Sequence, residues 1–168
     1  MTAKQRKTTY AVARQRVWQP VEWLRPSDGK LIMLPHPLVL VNGAFDLLHV
    51  GHMRLLYTAK DHAKTLVVAM DSDQKITASK GLARPIQTFV ERAAALNYMP
   101  VDYIVEINDR NDMDMLVAAI KPDLRVQGWD YKDATSRYPD IPKLLIRRAD
   151  TPTSALIERI ITKHDHKG

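Results

Sequence analysis

Two short apolar runs, residues 38–41 and 65–70, lie on either side of one amphipathic helical pattern. Runs of this length without polar alternation read as strands buried on both faces. A strand, a helix and a strand within about 30 residues point to a βαβ crossover in a parallel sheet. Asn42-Gly43 predicts the turn that ends the first strand, and His49 and His52 flank Gly51 where the helix begins. Their i, i+3 spacing puts both imidazoles on one face. A helix start also presents unpaired backbone N–H groups and the positive end of the helix dipole, so an anion fits there. Gly51 has no Cβ to hold a bulky anion off the backbone, and two imidazoles can donate hydrogen bonds to a phosphoryl group as it gains charge. Two ordinary helical histidines, or half a zinc site, would give the same pattern. The zinc reading has no cysteine and no clear third ligand nearby.

The alternation continues along the chain. Asp71-Ser72-Asp73 closes the second strand, and residues 75–85 read as a loop carrying Lys75, Lys80 and Arg84 around Gly81. That loop follows a strand end, where doubly wound sheets bind ligands. Thr88 and Glu91 have capping-box spacing and open a helix to about residue 99, stopped by Pro100. A third strand is expected at 103–107, a helix at 113–120 ended by Lys121-Pro122, a fourth strand at 124–127 with a loop at 128–132, and a fifth strand at 144–147. Thr151-Pro152 suits the cap and first position of a last helix over 153–162. Five strands alternating with helices give an α/β fold, a doubly wound parallel five-stranded sheet of Rossmann-like type, over residues 38–168. Neither G-x-G-x-x-G nor a P-loop is present, so neither dinucleotide redox chemistry nor a P-loop kinase is indicated.

Charge separates this domain from what precedes it. The net charge is +6, of which residues 1–37 hold +5, with seven basic against two acidic side chains. Residues 1–37 are therefore read as a basic N-terminal extension, partly ordered from about Trp18, where Trp18, Val21, Trp23 and Leu24 are too apolar for a free linker. The tryptophans are expected to pack on the domain or on another subunit of a homodimer. A basic arm could touch nucleic acid, but a solvated extension is the favoured reading. No apolar run approaches the ~20 residues of a membrane span, and the N-terminus lacks the apolar region of a signal peptide. With no cysteine among 168 residues, a cytoplasmic protein without membrane partners is expected.

The stretch Asn42-Gly43-Ala44-Phe45-Asp46-Leu47-Leu48-His49-Val50-Gly51-His52 resembles the (T/N)-G-x-F-D-x-x-H-x-G-H signature of the cytidylyltransferase-like nucleotidyltransferases. Within that family, residues 38–162 are most similar to the nucleotidyltransferase domain of ADP-heptose synthases. Lys80-Gly81-Leu82-Ala83-Arg84-Pro85 matches K-G-x-x-R-P, Glu91-Arg92 the downstream E-R, and Pro122-Asp123-Leu124 with Gly128-Trp129-Asp130-Tyr131-Lys132 the P-D-L and G-x-D-Y-K motifs. The resemblance implies strand order 3-2-1-4-5 and a nucleoside monophosphate passed from ATP or CTP to a small phosphorylated partner. A heptose 1-phosphate adenylyltransferase-like reaction on a sugar 1-phosphate leads. Transfer to glycerol phosphate or another alcohol phosphate, and a nucleotide-binding module without turnover, are the alternatives.

By the same resemblance Asn42, Gly43, Phe45, Asp46, His49, Gly51 and His52 would bind the nucleotide, with Gly128, Asp130, Thr153 and Ser154 completing its site. His49, His52 and Lys80 would be catalytic, and Arg84 and Arg147 would meet substrate phosphate, Arg148 being an alternative to Arg147. Trp129 either stacks on a base or sugar or anchors its loop. Mg²⁺ is expected to arrive on the triphosphate, with no metal cage in the protein itself. One departure is plain: where the family reads S-T-T or S-T-S at the last helix, this chain has Pro152-Thr153-Ser154, which replaces the first hydroxyl with a ring.

Overall fold

A computed structural model describes residues 34–133, 136–147 and 153–165. Most of the N-terminal extension, with Trp18 and Trp23, lies outside the described residues, as do Arg148 and the Thr151-Pro152 cap. Strands β1 (Leu38–Gly43), β2 (Thr65–Asp71), β3 (Tyr103–Ile107), β4 (Leu124–Gly128) and β5 (Lys143–Ile146) form one sheet. Every neighbouring pair is parallel and the order is β3-β2-β1-β4-β5, as expected. Helices α1 (Val50–Asp61), α2 (Asp73–Lys80), α3 (Phe89–Leu96), α4 (Arg110–Ile120) and α5 (Thr153–Asp165) complete the described elements.

The unbroken apolar strands follow from cover on both faces. Val39 and Val41 of β1 pack with Leu55, Leu56 and Ala59 of α1 and with Ala93 and Leu96 of α3. Leu38 and Leu40 point the other way, to Leu116, Val117 and Ile120 of α4. Each buried aliphatic side chain of this kind contributes about 1.5–3 kcal/mol, so the two central strands carry much of the stability. Strand order reverses between β1 and β4, and the crevice beyond their carboxyl ends is where such a sheet accepts a ligand.

Three local expectations are corrected. β1 does not break at Asn42-Gly43: both residues stay in register with Ala69 and Met70 of β2, and the chain turns only at Phe45. The stretch read as a loop from Lys75 begins as a helix. Ser72 accepts a hydrogen bond from the Lys75 N–H as the cap of α2, and Asp71 pairs with Lys75 at 2.6 Å. Only Ile76 of α2 is buried, too little for a legible apolar stripe. Helix α4 likewise starts earlier, at Arg110, because Asp109 caps it through the Asp112 N–H at 2.9 Å. The Thr88–Glu91 capping box forms as expected, with both reciprocal bonds present. Leu34 already belongs to the core beside α4, so the domain's packing begins before residue 38.

Candidate active site

The loop from Ala44 to Leu48 leaves β1 in a conformation that its residue types resist. Phe45 has φ 53° and Leu47 φ 50°, the left-handed region that costs an ordinary residue about 1–2 kcal/mol. Asp46 between them supplies the compensation. Its buried carboxylate accepts hydrogen bonds from the Ile86 and Gln87 N–H groups at 3.0 Å, and from Arg84 Nε at 2.9 Å and Nη2 at 2.8 Å. Gln87 answers by accepting from the Leu47 N–H at 3.0 Å, and the Thr153 hydroxyl donates to the Asp46 carbonyl at 3.1 Å. Burial pushes the Asp46 carboxyl up, but the Gln87 and Ile86 N–H groups and the Arg84 guanidinium outweigh it and hold the group below its ordinary value.

Arg92, fully buried, ties this loop to its neighbours. Nε donates to the Gln87 carbonyl at 3.2 Å, Nη1 to the Ala44 carbonyl, and Nη2 to the Asp71 carbonyl at 2.8 Å and to Asp73 at 2.7 Å. Asp73 in turn accepts from the Phe89 N–H at 2.9 Å, which joins the starts of α2 and α3. The E-R motif marks this arginine, yet nothing in its sequence neighbourhood states that it spans four segments. Gln87 has only a turn-like context as a signal.

On this support stand the two histidines. His49 is the cap of α1 and not part of its face: its backbone is extended, and its Nδ1 accepts from the Gly51 N–H at 3.1 Å. Nδ1 being the acceptor, the neutral ring carries its proton on Nε2, which is the atom able to donate to a phosphoryl oxygen. His52 lies in the first turn, its ring 3.9 Å from that of His49 and 5.2 Å from that of Phe45. Both histidines are buried, as is Gly51 between them. Phe45 is core and serves the site as a wall behind His52. Gly43 lies against that same ring, since a Cβ on it would sit 3.4 Å from Phe45 Cε2.

Of the remaining predicted residues, Asn42, Gly128 and Arg147 lie at the carboxyl ends of β1, β4 and β5. Asn42 accepts from Gln127 Nε2 at 3.2 Å, which bridges β1 and β4 across the switch point. Gly128 ends β4 in register with Ile146, followed by a 3-10 turn, Trp129–Tyr131, that carries Asp130. Arg147 follows β5, its guanidinium carbon 5.0 Å from the Trp129 ring centroid. Arg84, Ser154, Ile157, Glu158, Ile161 and Thr162 line a cavity of about 330 Å³ between the 81–87 segment and α5. Lys80, exposed, ends α2 at the mouth of that segment. Arg84 is thus the partner of Asp46 before it is anything else, and Thr153 is committed to the same loop, whereas Ser154 and Lys80 are exposed. Among the described residues no group of three or more His, Asp or Glu side chains could hold a metal ion, and no helix is long and apolar enough to cross a membrane.

A preorganised loop and paired imidazoles at a helix start, set at the switch point of a doubly wound sheet, are the setting in which folds of this class accept phosphate groups. Comparison with known proteins agrees. The cytidylyltransferase-like family model matches residues 40–159, and the chain belongs to that family of nucleotidyltransferases. It is 37% identical over 127 residues to the bifunctional protein HldE of Campylobacter curvus, and 38% identical over 136 residues to that of Campylobacter concisus. These alignments cover 73% and 77% of this chain but only 27% and 28% of the relatives, so the chain spans about a quarter of their length. The crystal structure of a lipopolysaccharide core biosynthesis protein from Thermoplasma volcanium GSS1 matches with a TM-score of 0.55 at 27% identity, covering 67% of this chain and 98% of that one. A pantoate-beta-alanine ligase from Francisella tularensis, at 15% identity and a TM-score of 0.52 over 79% of this chain and 65% of its own, shares the fold alone.

Proposed function

We propose that this nucleotidyltransferase passes a nucleoside monophosphate from ATP or CTP to a sugar 1-phosphate, in the manner of a heptose 1-phosphate adenylyltransferase, and releases pyrophosphate. The observation that carries the reading is the pair of imidazoles packed 3.9 Å apart at the start of α1, one of them accepting the Gly51 N–H on Nδ1. The resemblance of residues 80–85 and 122–132 to the motifs of ADP-heptose synthases supports the sugar phosphate. An oxygen of the acceptor phosphate attacks the α-phosphorus, the bond from that phosphorus to the bridging oxygen breaks, and the electron pair leaves on pyrophosphate. The attacking phosphate is already ionised near neutral pH, so the reaction needs positioning and charge stabilisation more than a base. His49 and His52 would donate to oxygens that gain charge, and Lys80 would meet the phosphates from the opposite side.

Mg²⁺ would neutralise part of the triphosphate charge when bound. Asp46, three residues before His49, is engaged by Arg84 and two backbone N–H groups, which suits a metal carried on nucleotide oxygens with few protein ligands. A cytoplasmic homodimer goes with this reading, and Val50, Met53 and Tyr57, exposed along one face of α1, support a partner there. Light scattering of the full chain checks the dimer. The reaction is tested by pyrophosphate release with ATP and CTP over a panel of sugar 1-phosphates and glycerol phosphate. Release with a sugar 1-phosphate is expected; release only with glycerol phosphate moves the assignment to an alcohol-phosphate transferase, and none with any acceptor leaves a binding module.

A further inference from the structure

Gly128 of β4 and Ile146 of β5 are register partners, so the next residue of each strand, Trp129 and Arg147, emerges side by side at the carboxyl edge of the sheet. Trp129 opens a 3-10 turn, closed by the Lys132 N–H donating to the Trp129 carbonyl at 2.9 Å, and the residue is 40% exposed. Over that ring, at 5.0 Å, lies the Arg147 guanidinium, itself exposed. An arginine at a strand end ordinarily samples many rotamers, and an aromatic face restricts it without consuming its N–H donors, because the attraction acts through the π-face. The Asp46 carboxylate holds Arg84 differently, by occupying two of its nitrogens.

We propose that Trp129 is a positioning residue: it holds Arg147 flat and preorganised, with its N–H groups directed to the phosphates of the bound nucleotide. This rests on the nucleotidyltransferase reading of the site. The indole then acts on affinity through Arg147 and not by stacking on the nucleobase. Loss of an exposed cation–π contact weakens binding about two- to fivefold.

Inorganic pyrophosphate with Mg²⁺ is the probe, since it carries the phosphates but no base for an indole to stack on. Its affinity is measured calorimetrically for the full chain and for Trp129→Ala, Trp129→Phe, Arg147→Met and the Ala/Met double variant, with thermal unfolding followed in each. The expected result is about two- to fivefold weaker binding in Trp129→Ala, recovery in Trp129→Phe, a loss at least as large in Arg147→Met, and no further loss in the double variant. Unchanged affinity in Trp129→Ala, or losses that multiply in the double variant, overturns the proposal. So does weaker binding of ATP or CTP with pyrophosphate affinity intact, which would make the indole a base platform. A coupled pyrophosphate cycle with no turnover on any acceptor overturns the enzymatic reading alone. Turnover with an uncoupled cycle overturns the role of Trp129 alone.

Discussion

At His49 the imidazole proposed to meet the phosphate also closes the first turn of α1, because Nδ1 takes the Gly51 N–H and Nε2 is the donor of the neutral ring. Replacing either His49 or His52 by Ala should lower turnover about a hundredfold or more, the scale for losing one preorganised donor. His49→Ala should also lose the cap, about 1 kcal/mol in a urea titration, whereas His49→Asn restores an acceptor and the stability but not the rate. Normal rates in folded Ala variants would remove both histidines from the mechanism. Lys80 and Arg84, alike as loop cations in the sequence, separate in the structure. Lys80→Met should lower kcat and kcat/KM together with little effect on folding, as for a mobile charge acting in the transition state. Arg84→Met should raise KM. It should also destabilise by about 2 kcal/mol, because Asp46 would remain buried with only its backbone partners.

Between elements, the joints at the carboxyl edge are made by buried polar side chains. Arg92 reaches the loop after β1, the end of β2, the start of α2 and the turn before α3. Arg92→Met would strip donors from three carbonyls and leave Asp73 without its guanidinium, so a loss of about 3 kcal/mol or more is expected. Arg92→Lys should not rescue it, since a single ammonium cannot reproduce the planar fork. Chemical denaturation measures the loss, and hydrogen exchange should localise it to the 44–48 loop and the starts of α2 and α3. A variant with full stability would show that the loop holds its left-handed residues by other means.

For the whole molecule, acid sensitivity follows from carboxylates whose folded pKa lies below the unfolded value. Asp46 and Asp123 are lowered from about 3.8, Asp123 mainly by the Leu38 N–H. Asp114, held by Arg137 and Tyr138, falls to about 2. Groups of this sign contribute fully above the unfolded value and lose their contribution as pH falls through the folded one. These carboxylates should therefore make the urea midpoint drop between about pH 4 and 2, and Asp46→Asn should flatten part of that drop. A midpoint that does not change below pH 4 would contradict the electrostatics. Removing residues 1–16, basic and without apolar periodicity, should leave folding and turnover intact. Lost turnover in a folded truncation would bring the arm into the site or onto a partner.

Periodicity and local chemistry were sufficient for the fold class. Consecutive apolar residues in β1 and β2 require cover on both faces, and capping signals such as Thr88–Glu91 act within one turn, so both are visible in the chain itself. The His49–His52 motif was legible because its residues are close in sequence. Four things had to wait for the folded chain. β1 runs on through Gly43 because β2 offers hydrogen bonds to it, and the left-handed Phe45 and Leu47 are held by Gln87, Arg92 and Thr153, which lie about 40 to 107 residues away. The Arg84–Asp46 pair and the contact of Arg147 with the Trp129 ring also join separate segments. A sequence states which side chains are chargeable or aromatic, but a contact between distant residues exists only once the sheet has set the strand ends side by side.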